Sequence, residues 1–194
     1  MNFLKQLFYK KIQRELDGSK RVIDLACGKS SILEHLHKNF YAVGVDAYVP
    51  YIEISKQKGT HDEYVVHDIL TVDFPPKSFD AVICFELIEH VEKDEGFALL
   101  KKMETWVTKK IILTTPNGFV PQEEGDGNDL QAHKSGWSPS DFRKLGFKVR
   151  GLQGLRVFAR SENPVGKALW YLSFPLVYFF PSISWRLLAI KTLD

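Results

Sequence analysis

Four side chains in this sequence have the types and spacing to move a proton or hold a cation. Glu86, Glu89 and His90 form a Glu-x-x-Glu-His run, and His133 follows in a polar stretch further along the chain. Two carboxylates and two imidazoles offer oxygen and nitrogen donors together, a set that hard and borderline divalent cations accept. Spacings of three and four predict Glu86, Glu89 and His90 on one face of a helical turn. The same groups also suit acid–base work. An imidazole titrates near working pH, which makes His133 the leading general base for deprotonating an oxygen, with His90 and Glu86 as reserves.

A second set is made of acids that close apolar runs. Asp24 sits in Val22-Ile23-Asp24-Leu25-Ala26-Cys27-Gly28, Asp46 ends Tyr41-Ala42-Val43-Gly44-Val45, and Asp68 ends Tyr64-Val65-Val66-His67. Ligands of open parallel sheets bind at the carboxyl ends of the strands, so these acids and the turns after them are where a ligand is expected. A carboxylate repels phosphate but can accept both hydroxyls of a ribose, which points Asp46 toward a nucleoside. The small residues Ala26 and Gly28 let a ligand approach the backbone, and the helix expected next leaves N–H groups at Ser30 and Ser31.

The elements that must hold these residues alternate between strand and helix. Short apolar runs predict strands at 21–28, 41–46, 64–68, 79–85 and 110–114, and amphipathic stretches predict helices over 32–40, from Ile52 to Gly59, and from Asp94 to Trp106. Such alternation implies a parallel sheet with right-handed crossovers. Met1 to Asp17 reads as an amphipathic basic helix, packed on the domain or lying on a membrane surface or ligand cleft. The polar stretch 119–137 is too long for an ordinary connector and predicts a lid loop. Ser138 is placed to cap a helix, with Pro139 following and Asp141 completing the cap, and Phe147-Lys148-Val149-Arg150 reads as a strand.

Residues 163–184 are different. From Ala168 to Pro181 there is no charged residue, and Trp170, Tyr171, Phe174, Tyr178, Phe179 and Phe180 crowd the segment. It is shorter than the roughly 20 residues that a spanning helix needs, and a strand from Arg186 to Lys191 follows it. Core, lid or substrate wall, dimer face and peripheral membrane contact all remain open for this segment.

Composition bounds the rest. The chain has 194 residues, 44% hydrophobic, with a formal net charge of +2. That is one domain's worth of chain, read as a single unit over 1–194. Without a basic stripe it is not expected to bind nucleic acid. Cys27 and Cys84 form no CxxC pair and no secretion signal opens the chain, so a reducing, cytoplasmic setting is expected, with membrane association open.

The first turn reads Ala26-Cys27-Gly28-Lys29-Ser30-Ser31 and lacks the first and third glycines of the G-x-G-x-x-G fingerprint of nicotinamide enzymes. The ordered set of Asp24, Asp46, Asp68 and Phe79-Asp80 resembles instead the class I methyltransferases that use S-adenosylmethionine, over nearly the whole chain. Phe85-Glu86-Leu87-Ile88-Glu89-His90 and Thr115-Pro116-Asn117-Gly118 resemble segments of the subgroup that methylates quinone precursors. The resemblance implies an α/β, Rossmann-like class I methyltransferase fold: a seven-stranded, mostly parallel sheet with a reversed last strand and helices on both faces. It implies S-adenosyl-L-methionine as cofactor and S-adenosyl-L-homocysteine as product. Asp24, Ala26, Cys27 and Gly28 would then hold the methionine part, Asp46 and Ala47 the ribose, and Asp68 and Ile69 the adenine, with Phe85 alongside. The acceptor would be a small or lipid-linked molecule. Glu86, Glu89, His90 and His133 also resemble the metal site of small-RNA terminal ribose methyltransferases, which keeps a divalent metal and an RNA acceptor as an alternative. The preferred reading needs no metal, and a non-catalytic scaffold is a further alternative.

Overall fold

The computed structural model describes residues 3–123 and 127–193. Its strands are β1 (Arg21–Leu25), β2 (Tyr41–Asp46), β3 (Glu63–Val66), β4 (Phe79–Phe85), β5 (Val107–Pro116), β6 (Lys148–Leu155) and β7 (Ser184–Thr192), and its helices are α1 (Phe3–Leu16), α2 (Val49–Lys58), α3 (Lys93–Trp106), α4 (Pro139–Lys144), α5 (Pro164–Leu172) and α6 (Phe174–Phe179). The strands hydrogen-bond in the order β3-β2-β1-β4-β5-β7-β6. β1 runs parallel to β2 and β4, β2 runs parallel to β3, and β6 pairs antiparallel with β7. This is the Rossmann-like class I sheet with its last strand reversed.

Contacts group the chain into two units. One holds the described residues of Met1–Cys84, Ala98–Ile111 and Leu193–Asp194, the other those of Phe85–Phe97 and Ile112–Thr192. In the first, Val22, Ile23, Leu25, Ala42, Val45, Ala81, Val82 and Ile83 are fully buried, which is why β1, β2 and β4 read as continuous apolar runs and not as alternating ones. Trp106 is buried in the same unit, donating its indole N–H to Asp73 at 2.8 Å and meeting Phe74 edge-on. In the second unit Trp137 stacks on Phe142 with centroids 5.2 Å apart, and Lys93 Nζ lies 3.7 Å over the Trp137 ring. Ser138 and Asp141 form the reciprocal capping box the sequence predicts at the start of α4, an arrangement that typically contributes about 1 kcal/mol.

Two expectations fail locally. The helix expected over 32–40 is a single 3-10 turn, Ile32–His35, after which Leu36 turns extended. His35, His37 and Asn39 carry little helix preference, and the Gln13 side chain of α1 takes the His37 N–H at 2.8 Å. The third strand ends at Val66, so Asp68 lies beyond it in a turn, exposed, with Oδ1 accepting from Leu70 N at 2.9 Å. The expected lid stretch is tied down on both sides of the residues not described: His133 N donates to Gln122 O at 3.0 Å, and Lys134 N and Ser135 N donate to Glu89 O at 2.8 and 3.1 Å. Gly125 and Asp126 of that stretch lie outside the described residues.

Candidate active site

The turn after β1 is shaped by two left-handed residues, Ala26 at φ 53° and Gly28 at φ 58°. Glycine adopts that region freely and alanine at a cost of roughly 1 kcal/mol or more. The pair folds the chain back sharply enough for Gly28 N to donate to Asp46 Oδ2 at 2.9 Å, while Tyr48 N donates to Asp46 Oδ1 at 2.8 Å. Burial pushes the Asp46 carboxyl above its ordinary value, and these backbone N–H groups oppose the rise. Each Asp46 oxygen keeps a lone pair for a further donor. Asp24 is buried and held twice at Oδ2, by Ser31 Oγ at 2.5 Å and by His61 Nε2 at 2.9 Å.

That network corrects one expectation. No α-helix follows this turn: Ser31 caps a single 3-10 turn, its hydroxyl donating to Asp24 and accepting from Leu33 N, so the N–H groups of Ser30 and Ser31 head no α-helix. Cys27 is buried beside the two acids. Burial first, then the charges of Asp24 and Asp46, raise its thiol well above the usual range and keep it protonated. Ala47 is half-buried, Ile69 is buried, and Phe85 closes β4.

The second region lies wholly in the other unit. A cavity of about 280 Å³ is lined by Glu86, Glu89, His90 and His133 with Pro116, Val120, Arg160, Trp185 and Arg186 among its walls. Glu89, His90 and His133 each bring a potential ligand atom within 4.8 Å of the other two. Glu86 is not part of that group. Its backbone is left-handed at φ 52°, which takes it out of the 3-10 turn Ile88–His90, so the expected single helical face does not form. Its carboxylate pairs with Arg186 Nη1 at 3.1 Å.

The two imidazoles meet edge-on at 4.7 Å between centroids, and each turns Nδ1 to a backbone carbonyl: His90 to Ala132 O at 3.2 Å, His133 to Val120 O at 2.6 Å. Those bonds assign the proton to Nδ1 and the lone pair to Nε2. Burial, then the neighbouring His133, lowers the His90 pKa and keeps that ring neutral. Glu89 is 2% exposed; Thr115 Oγ1 donates to its Oε2 at 2.9 Å, while its Oε1 has no hydrogen-bond partner among the described residues. Burial, then the charge of Glu86, pushes its carboxyl up to about 8.

A sequence model described as a methyltransferase domain matches residues 23–110, and the strand order above is the class I order. That match and the sheet order together support a class I S-adenosylmethionine-dependent methyltransferase. Over 125 residues it is 28% identical to the mitochondrial ubiquinone biosynthesis O-methyltransferase of Schizosaccharomyces pombe, covering 59% of this chain and 43% of that protein. The chain thus spans less than half the length of that relative. An S-adenosylmethionine-dependent methyltransferase of Archaeoglobus fulgidus superposes with a TM-score of 0.63 at 19% identity, over 97% of this chain and 94% of the other. The small RNA methyltransferase HEN1 superposes with a TM-score of 0.64 at 17% identity, over 98% of this chain and 25% of the other.

In this methyltransferase domain the structure brings together Asp24, Ala26, Cys27, Gly28 and Asp46 around one turn, and His90, Glu89 and His133 around one cavity. Sequence reasoning missed His61 beneath Asp24, Thr115 beneath Glu89, and Arg186 opposite Glu86. His61 looks like a loop residue before β3, and Arg186 like an outward cation of the last strand; neither stands within a motif. Thr115 falls in the segment flagged after the fifth strand, though as its penultimate residue.

Proposed function

We propose that this domain transfers the methyl group of S-adenosylmethionine to a hydroxyl oxygen of a small or lipid-linked acceptor seated in the cavity of Glu86, His90 and His133. The observation that carries this reading is the orientation of His133. With Nδ1 held by the Val120 carbonyl, its Nε2 is the nitrogen that can take the proton. When bound, S-adenosylmethionine supplies a methyl carbon activated by its sulfonium. Asp24 and the Ala26–Gly28 turn position the methionine end, Asp46 accepts from the ribose hydroxyls, and Asp68 with Ile69 flanks the adenine. His133 accepts the hydroxyl proton, His90 packs against its ring, and Arg186 pairs with Glu86 beside them. Orientation in a pocket that excludes water can account for about 7 to 11 kcal/mol of such a barrier. The name of the Schizosaccharomyces pombe relative, an O-methyltransferase, supports an oxygen acceptor.

The test is transfer of radiolabelled methyl to a panel of hydroxylated aromatic and prenylated acceptors, by the wild-type chain and by His133→Ala. Label on oxygen that disappears in the variant, with S-adenosylhomocysteine binding retained, is the expected result. Label on nitrogen or sulfur, or undiminished turnover by the variant, would sink the assignment.

A second reading has its own observation. Glu89, His90 and His133 converge, Glu89 Oε1 is buried without a hydrogen-bond partner among the described residues, and both imidazoles are oriented by carbonyls as metal-bound histidines are. This set fits a divalent cation, held by Glu89, His90 and His133. A cation there would supply Lewis acidity toward an acceptor hydroxyl. An RNA ribose acceptor is the form of this reading that the HEN1 likeness raises, and the formal charge of +2 gives it little support. Chelation that leaves transfer to small acceptors intact removes it. Chelation that abolishes methylation of an RNA terminal ribose, restored by added cation, establishes it.

A further inference from the structure

The apolar segment 163–184 folds as α5 and α6, and its two faces have different fates. One face runs through Gly166, Trp170, Ser173 and Val177; Gly166 sits against Ser161, and the rest of the face lies on β6. Two glycines of that strand make this seat: a Cβ at Gly151 would run into the Val177 carbonyl, and one at Gly154 into the Trp170 carbonyl and indole. Strand backbone therefore touches helix backbone directly. Ser173 Oγ locks the arrangement, accepting from Leu155 N at 2.8 Å and donating to Trp170 O at 2.8 Å. Core packing accounts for this face.

It does not account for the other. Val165, Leu169, Leu172, Leu176 and Phe179 follow one another at spacings of four and three across both helices, and they are 65%, 42%, 76%, 48% and 66% exposed. A continuous apolar stripe of this kind on a soluble surface marks an interaction site. Its surroundings are cationic: Arg156, Arg160 and Lys167 are exposed, and Glu162 is the sole acid in the sequence from 156 to 185. Among the described residues no helix is long and apolar enough to cross a membrane.

We propose that the outward face of α5 and α6 docks on the surface of an anionic lipid bilayer. The stripe enters the boundary between headgroups and acyl chains, and Lys167, on the flank of α5, reaches up to the lipid phosphates. Tyr171, half exposed on α5, has the ring and hydroxyl that favour that boundary.

Flotation of the full chain with phosphatidylcholine vesicles, with and without phosphatidylglycerol, tests this. The wild-type chain should float with the anionic vesicles, and a variant carrying Leu169→Ser, Leu172→Ser and Phe179→Ser should stay at the bottom. The variant's unfolding midpoint and S-adenosylhomocysteine affinity report whether it is folded. If it is not, Lys167→Glu decides alone, and it should weaken anionic binding roughly tenfold. No flotation of the wild-type chain, flotation unchanged in both variants, or equal binding to vesicles without phosphatidylglycerol would each overturn the proposal. So would a wild-type dimer that ignores vesicles and that the triple variant makes monomeric, since the stripe would then face a second copy. Binding is read without turnover, so its outcome is independent of the acceptor chemistry proposed above.

Discussion

The turn around Asp24 and Asp46 and the cavity around Glu86 and Glu89 both gather two carboxylates, yet they treat them in opposite ways. Asp24 receives a hydroxyl and an imidazole, and Asp46 receives a backbone N–H on each oxygen. In the cavity, Glu86 Oε1, Glu89 Oε1 and Arg186 Nε are buried with no hydrogen-bond partner among the described residues. A buried polar atom left unpaired costs about 1–3 kcal/mol, so the cavity carries a strain that the turn does not. The turn is built to hold a shape, which in the proposed function a ligand then uses. The cavity is built around groups whose remaining valence is kept for something else, and the Glu89 carboxyl at about 8 is the electrostatic sign of it.

The sharpest break of that comparison is between binding and turnover. His133→Ala should lower kcat by roughly a hundred- to ten-thousandfold, the range of a lost general base, while calorimetry finds S-adenosylhomocysteine affinity unchanged within about twofold. Asp46→Asn should do the reverse. If Asp46 takes the ribose hydroxyls as proposed, losing its charge removes about 1.5–3 kcal/mol, a ten- to hundredfold weaker affinity, with kcat at saturating cofactor much less affected. If both variants lose affinity alike, the two regions do not divide the work as described.

The division was unevenly legible in the sequence. The turn could be read because its shape depends on backbone: small residues at Ala26 and Gly28 and an acid at the end of β2 follow directly from strand geometry. The cavity could be read only in part. Glu86, Glu89, His90 and His133 are recognisable by type, but helical spacing placed Glu86 with the others, and a left-handed residue at that position separates them. Arg186 comes from the reversed last strand, so its pairing with Glu86 is a matter of sheet order, which local patterns do not encode. The exposed stripe of α5 and α6 was legible as apolar but not as exposed. Which face is covered depends on Gly151 and Gly154 in another element. Valine at Gly154 should therefore cost about 3 kcal/mol or more, since an L side chain there meets both a positive φ of 59° and the Trp170 carbonyl; thermal unfolding measures it.

Charge in the cavity sets a smaller, pH-dependent effect. Burial raises the Glu89 carboxyl, so the folded chain holds a proton there that the unfolded chain releases at the ordinary carboxylate value. Stability from this group is full below that ordinary value and is lost as pH rises toward about 8, at up to about 1.4 kcal/mol per pH unit. Glu89→Gln, measured by thermal melts in the presence of chelator, should flatten that decline and be the more stable chain above pH 8. A decline of equal slope in the variant would place the titrating group elsewhere.

The smallest effect sharpens the contrast from the other side. Ser31→Ala removes one of the two hydrogen bonds to Asp24, but His61 still reaches the same oxygen and the residue remains buried. A carboxylate that keeps one partner loses only the net worth of the bond, about 1 kcal/mol, and the unfolding free energy should fall by that amount. Thr115→Val at Glu89 has no such reserve, because the hydroxyl it removes is the hydrogen bond at Glu89 Oε2 and Oε1 has none among the described residues. The valine should therefore cost the cavity more than the alanine costs the turn above about pH 8, where Glu89 ionises, and the two losses should converge below it, where a protonated Glu89 needs that donor less. Equal losses at every pH would mean that Glu89 is as well supported as Asp24, and that the difference between the two regions lies in what binds them and not in how they are built.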